Sequence, residues 1–305
     1  MRLVDVPTGL RNDPRARVYI VDHLAPGTVI HRRIEVSNTS ASTVHVALYA
    51  AAATVANGSF LGAAGKTRDD LSTWTSISPR TSDVAAHKRV MAIVTVAVPP
   101  DAPPGEQYGV VWAEARSAPI AGVGITLVSR VGVRLYLSVG PGGPPASNYS
   151  IDSLTAERSP DHRPIVAASV HNTGGRALDM SGALQLSDGP GLLSAGPFPA
   201  TLGLTLAIGD TEPVMFSLDK RLPTGPWLAR ITLHSGLIER SAQATITFPD
   251  TGTSAPVKVA ASTRAHLPYV TIAGIAALLI SSAALLVMRA RRRHRPRARE
   301  HAKPG

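Results

Sequence analysis

Apolar and polar residues alternate along most of this chain in short runs of period two. Ile34 and Val36 alternate with Glu35 and Ser37, Val44, Val46 and Leu48 with His45 and Ala47, and Val94, Val96 and Val98 with Thr95 and Ala97. Residues 18–21, 108–114 and 131–139 read as further strands. Successive side chains of a strand point to opposite faces, so each run buries one face and leaves the other wet. Turn residues punctuate the runs, as in Ala25-Pro26-Gly27-Thr28 and Asn38-Thr39-Ser40. A second set follows. Val166, Ala168 and Val170 lead into His171-Asn172-Thr173-Gly174-Gly175, Leu184 and Leu186 alternate with Gln185 and Ser187, and residues 214–218, 229–233 and 245–248 complete it. No long stretch before Leu267 shows helical periodicity. The pattern predicts an all-β fold of two tandem immunoglobulin-like β-sandwiches followed by one C-terminal transmembrane α-helix. One larger sandwich is the alternative.

The two sets resemble weak copies of one unit. In Arg33-Ile34-Glu35-Val36-Ser37-Asn38-Thr39-Ser40 and in Ala168-Ser169-Val170-His171-Asn172-Thr173-Gly174, a strand ends at Asn-Thr followed by a small residue. Asn tolerates the left-handed turn there and bonds its own backbone. The expected organisation is a first sandwich at 1–140, a Pro/Gly linker at 141–148, a second sandwich at 149–248 and a flexible linker at 249–266. A transmembrane helix at 267–288 and a basic tail at 289–305 follow. Residues 267–288 hold no charged side chain, enough for an α-helix to cross a hydrocarbon core of about 30 Å.

The formal charge of +10 sharpens this picture once it is located. The tail holds Arg289, Arg291, Arg292, Arg293, Arg295, Arg297, Arg299 and Lys303 against a single acid, Glu300. The body is close to neutral, so a nucleic-acid partner is not expected. Positive charge stays cytoplasmic, which predicts a single-pass cell-membrane protein, its N-terminal body extracellular and its tail inside, with the bilayer as a partner through 267–288. An external body needs an export signal. Met1-Arg2-Leu3-Val4-Asp5-Val6-Pro7 places Asp5 and Pro7 where an apolar run should lie, so the signal peptide is expected upstream of this chain.

Cys is absent, which excludes disulfides, thiolate metal sites and Cys nucleophiles. There is no Gly-x-Ser-x-Gly elbow, P-loop or His-Glu-x-x-His. Asp22-His23 and Asp161-His162 are adjacent pairs, and neighbours on a strand face opposite ways. No catalytic residue, metal ligand or cofactor is expected, and the chain reads as a non-enzyme. Ligand contacts are expected from Trp74, which sits among Ser72, Thr73, Thr75 and Ser76, and from Tyr19. Both offer flat faces to sugars. Arg11, Arg15 and Arg17 cluster where they can pair with carboxylates of a ligand. Trp112 lies mid-strand and is expected in a core.

Several of these segments carry a family resemblance. Residues 13–27, Val36-Ser37-Asn38-Thr39-Ser40, Leu71-Ser72-Thr73-Trp74, and Pro100-Asp101-Ala102-Pro103-Pro104-Gly105-Glu106-Gln107-Tyr108 running on to Trp112 resemble the WxL-interacting protein family in its actinobacterial branch. The resemblance covers roughly residues 3–140. It implies an exported protein with an immunoglobulin-like peptidoglycan-binding domain, a second sandwich, a transmembrane helix and a basic tail. Trp74, Trp112 and Trp227 all lack Leu two positions on, so the chain is not itself a WxL-motif protein. The expected function is non-enzymatic binding of peptidoglycan and/or cell-surface proteins. The alternative is a protein–protein scaffold or surface adhesion module without glycan binding, in which an exposed strand edge pairs with a partner strand.

Overall fold

The computed structural model of the chain describes residues 1–117 and 124–261. The helix expected at 267–288 and the tail at 289–305 lie outside the described residues. Among the described residues no helix is long and apolar enough to cross a membrane.

The described chain is all-β and of immunoglobulin-like type. Its first part runs β1 (Arg2–Leu3), β2 (Ile20–Leu24), β3 (Val29–Ser37), β4 (Val44–Ala56), β5 (Ser59–Gly62), the short helix α1 (Asp70–Trp74), β6 (Thr75–Ser78), β7 (Thr81–Val84), β8 (Arg89–Ala97), β9 (Gly105–Arg116) and β10 (Val128–Val139). Its second part runs β11 (Tyr149–Arg158), β12 (Pro164–Asn172), β13 (Leu178–Asp179), β14 (Ser181–Ser187), β15 (Ala195–Pro199), β16 (Thr205–Leu206), β17 (Thr211–Ser217), β18 (Trp227–Ser235) and β19 (Ile238–Ile246). Three short strands close it, β20 (Gly252–Thr253), β21 (Val257–Lys258) and β22 (Ala260–Ala261).

In the first part, one sheet has the order β1-β3-β8-β6 and the facing sheet β2-β10-β9-β4-β5, with β7 also on β4. The N-terminal segment is shared between them. β1 pairs antiparallel with β3, whereas β2 pairs parallel with β10. In the second part β17-β12-β11-β20 faces β15-β14-β18-β19-β22. The stretch expected as a flexible linker pairs back onto β11 and β19 through β20, β21 and β22.

Period-two alternation sets the packing. Along β12 buried and half-buried positions alternate without a break, and along β8 Ala92, Val94 and Val96 face inward. Ile34, Leu71, Val94 and Val111 centre one core; Leu154, Val166, Phe216 and Trp227 centre another. Truncating any one of them to Ala is expected to cost about 2–5 kcal/mol.

Asn38 and Asn172 perform the same task in the two parts. The Asn38 side-chain amide donates to the carbonyls of Ser42, Val84 and Ala85, while its oxygen accepts from Ser40 N–H. Asn172 donates to the carbonyls of Arg176 and Ala207 and accepts from Gly174 N–H. Each plugs a turn whose carbonyls would otherwise be buried without donors.

Both parts belong to one compact unit spanning Met1–Ser262, joined by a polar cluster around Asp179. Its carboxylate accepts from Arg15 Nε at 2.8 Å, Arg134 Nη1 at 3.0 Å, the Tyr136 hydroxyl at 2.8 Å and the Thr205 hydroxyl at 2.8 Å. Tyr19, Phe60 and Tyr108 ring Tyr136 at centroid distances of 5.7, 5.3 and 6.0 Å. Burial pushes the Tyr136 phenol and the Glu106 carboxyl above their usual ranges. Burial opposes the Arg15 charge, but Asp179, Tyr136 and Glu106 outweigh it and raise its pKa.

Candidate functional site

One half of β10 is covered and the other is open. From Leu135 to Val139 it is flanked by β9 on one side and β2 on the other. From Val128 to Arg134 it pairs, among the described residues, with β9 alone. The cause lies upstream of β2. Asp13 accepts the Arg15 backbone N–H at 2.9 Å, and residues Arg15–Arg17 close a 3-10 turn. The Arg15 side chain, 7% exposed, is held on Asp179. The chain therefore joins the β10 edge only at Ile20 and leaves the remainder unpaired among the described residues.

The open half mixes Val128, Val131 and Val133 with Ser129, Arg130 and Arg134. Val133, Leu135, Leu137 and Val139 point into the first core. The same face of the strand continues outward to Val131, which is 51% exposed, and beyond the strand to Leu127 at 59%. Beside Val131 lies a groove of about 440 Å³ between the ends of β3 and β10. Val36, Val46, Val84 and Ala113 line it together with Ser37, Asn38, Ser40, Ser129 and Arg130. The opposite face of the strand is closed. Gly132 lies flat against the Trp112 indole, where an added Cβ would fall 2.8 Å from the ring. Arg130 stacks over that ring at 4.9 Å.

The residues expected to bind ligand do not converge here. Arg15 is committed to Asp179, and Tyr19 lies against Tyr136 with the Arg134 guanidinium 5.1 Å over its ring. Trp74 ends α1 and packs against the first core. Arg11 and Arg17 stay exposed and share a shallow groove with Asp5; Arg17 Nε donates to the Arg11 carbonyl. Trp112 is half-buried on the outer face of its sheet, not in the core where its mid-strand position suggested. The β10 edge was missed because alternation locates a strand but not its neighbours. The available signal was the apolar alternation running outward through Val131. Among the described residues no group of three or more His, Asp or Glu is placed to hold a metal ion.

No family model and no curated protein matches the chain. Among solved structures it is similar to the Pseudomonas aeruginosa CupB2 chaperone, at 10% identity and a TM-score of 0.40, over 75% of this chain and 97% of that one. The YadV chaperone gives 12% and 0.39, over 73% and 96%. The Salmonella enterica SafA pilin in complex with the SafB chaperone gives 12% and 0.39, over 79% and 91%. A further similar structure is titled as the periplasmic chaperone SfaE.

These findings overturn the WxL-interacting identity and, with it, peptidoglycan as ligand and the bilayer-anchored, single-pass cell-surface placement. The physical reason is visible in the segments that carried the resemblance. The Asn38 segment plugs a turn, and so does its counterpart at Asn172. The segment Leu71-Ser72-Thr73-Trp74 is α1, capped reciprocally by Asp69 and Ser72. Such devices serve the turn chemistry of a sandwich and identify no ligand. The aromatic platforms expected for sugars are packed against other side chains.

Proposed function

We propose that this protein is a non-catalytic binding module that takes up an extended segment of a partner protein as an added strand on the Val128–Arg134 half of β10. In this reading residues 1–140 and 149–248 are two immunoglobulin-like domains with 141–148 between them. The half-edge, unpaired among the described residues and with Val131 facing the groove, carries the proposal; fold likeness at a TM-score of 0.40 carries none of it. An edge strand presents a row of unpaired N–H and C=O groups, and soluble proteins blunt such edges with charge, Pro or cover. Here Arg130 and Arg134 lie on the edge, but the inward-facing residue at mid-edge is Val131, which opens onto a groove with Val36, Val46, Val84 and Ala113 in its lining. Strand addition takes its affinity from main-chain hydrogen bonds and its selectivity from pockets for alternate side chains. A segment with apolar residues at every second position meets both demands.

The test is titration of the full chain with an acetylated, amidated Thr-Val-Thr-Val-Thr-Val-Thr peptide, read by anisotropy and by amide exchange. Binding is expected to slow exchange in residues 128–134 and to weaken at least tenfold in Val131→Asp. Val131 is half exposed, so that change should cost under about 1 kcal/mol of stability. Unchanged exchange in 128–134 at saturating peptide would sink the reading.

A further inference from the structure

The other side of the same sheet has a second opening, of different chemistry. β4 pairs with β7 over Val44 to Ala47 and with β5 over Ala53 to Ala56. Between these pairings the chain bonds the β4 edge only at Leu48 and Ala52, where the Ala52 carbonyl also accepts from Ala63 N–H. Leu48 N–H donates to the Arg80 carbonyl at 2.8 Å, and Ala52 N–H donates to the Thr67 carbonyl at 2.8 Å. Backbone groups of a strand turn alternately to its two neighbours. Ala50, two residues from each contact, therefore turns its N–H and C=O the same way, away from β9. Neither group has a partner among the described residues. Leu48 and Ala52 are about 14 Å apart along the strand, room for about three residues of an extended chain.

A groove of about 560 Å³ opens at this notch, lined by Ala50, Tyr49, Thr73, Lys66, Arg68 and Arg80 among others. Among the described residues no Asp or Glu side chain lines it. The nearest acid in sequence, Asp69, is spent on the α1 cap, accepting from Ser72 N–H at 2.8 Å. Lys66 lies over the Tyr49 ring at 5.1 Å. None of the three cations forms an ion pair among the described residues. A free donor and acceptor on one strand residue match one residue of an extended peptide, and the flanking cations match carboxylates.

We infer that this notch binds a short acidic peptide segment in extended form, which pairs with Ala50 and places its carboxylates against Lys66, Arg68 and Arg80. Its acidic chemistry and its position separate it from the open edge of β10.

The test is calorimetric titration of the full chain with acetylated, amidated Thr-Glu-Glu-Glu-Thr. Three comparison probes are the Gln analogue, the same acidic peptide N-methylated at its central residue, and inorganic pyrophosphate. The acidic peptide is expected to bind, the Gln analogue and the N-methyl peptide at least tenfold more weakly. Arg80→Gln and Lys66→Gln should each weaken binding about tenfold. The protein is unchanged in the N-methyl comparison, so that result does not depend on a variant folding. Equal binding of the N-methyl peptide, or pyrophosphate binding as tightly as the acidic peptide, would show a plain anion patch and overturn the inference. No binding of the acidic peptide would show that the cations only guard the edge, and would overturn it too.

Discussion

The two open edges of the sheet β2-β10-β9-β4-β5 are left unpaired in different ways. On β10 a covering strand stops short, because Arg15 is drawn onto Asp179 and the chain reaches the edge only at Ile20. On β4 the covering segment is present but bonds only at Leu48 and Ala52, which leaves a gap around Ala50. The chemistry follows the same division. The β10 opening shows Val131 beside a groove of valines, alanines, hydroxyls and the single cation Arg130, whereas the β4 opening carries three cations, Lys66, Arg68 and Arg80. Lysine-rich edges resist indiscriminate pairing and apolar edges invite it. An open edge is therefore not one kind of surface: the side chains around it decide which strand it accepts.

The largest expected effect breaks the comparison on one side only. Asp179→Ala removes the acceptor of Arg15, Arg134, Tyr136 and Thr205 and leaves the buried Arg15 charge unpaired. Loss of one partner from such a buried pair costs about 3–5 kcal/mol. Thermal unfolding should report that loss, and amide exchange should show residues 13–19 loosened. Acidic-peptide binding at the β4 notch should hold at temperatures where the variant stays folded. If exchange in 13–19 is unchanged, the Arg15 anchor is not what keeps β2 short.

A smaller effect is expected at the rim of the β10 groove. Asn38→Ala leaves the Val84 and Ala85 carbonyls without their side-chain donor. A cost of about 1–3 kcal/mol follows from groups left buried and unsatisfied. Uptake of the alternating Thr/Val peptide should weaken with it, because Asn38 and its turn border the groove. Asn172→Ala should cost a similar amount of stability and leave that uptake alone. Equal losses of uptake in both variants would show that general destabilisation, not the rim, is responsible.

The smallest effect concerns pH and lies away from both edges. Burial raises the Glu106 carboxyl above its usual value, opposed by hydrogen bonds from Ala177 N–H and Tyr108 and by the Arg15 and Arg176 charges. An acid whose pKa is raised in the folded state holds its proton more tightly there. Its contribution to stability is fully present below the unfolded value, about 4.3, and is lost as pH rises through the folded value. Glu106→Gln abolishes that loss. The difference in Tm between Glu106→Gln and the wild type should shift in the variant's favour as pH rises from about 4 to 8. A pH-independent difference would contradict the raised value.

Much of the secondary structure was legible because alternation is local. The strands around Val36, Val46, Val96 and Val170 lie where their own sequence puts them. The Asn-Thr repeat was legible for the same reason, since Asn38 and Asn172 each act on a turn within their own part of the chain. The ligand candidates were less so. Arg11, Arg15 and Arg17 look alike in sequence, but only Arg15 is buried, because a carboxylate 164 positions away meets it. Tyr19 and Tyr136 likewise meet across the fold.

Neighbouring residues alone dictate an all-β chain with paired turn devices and no pattern for catalysis. Period, turn residues and composition are properties of neighbours along the chain. What only the tertiary structure decided was which strand edges stay open. Pairing in a sheet joins distant segments, and an unpaired edge arises where a segment that should cover it is held elsewhere. For β10 that hold is Arg15 on Asp179; for β4 it is the segment bonded at Thr67 and Arg80, which makes no backbone hydrogen bond to Ala50 among the described residues.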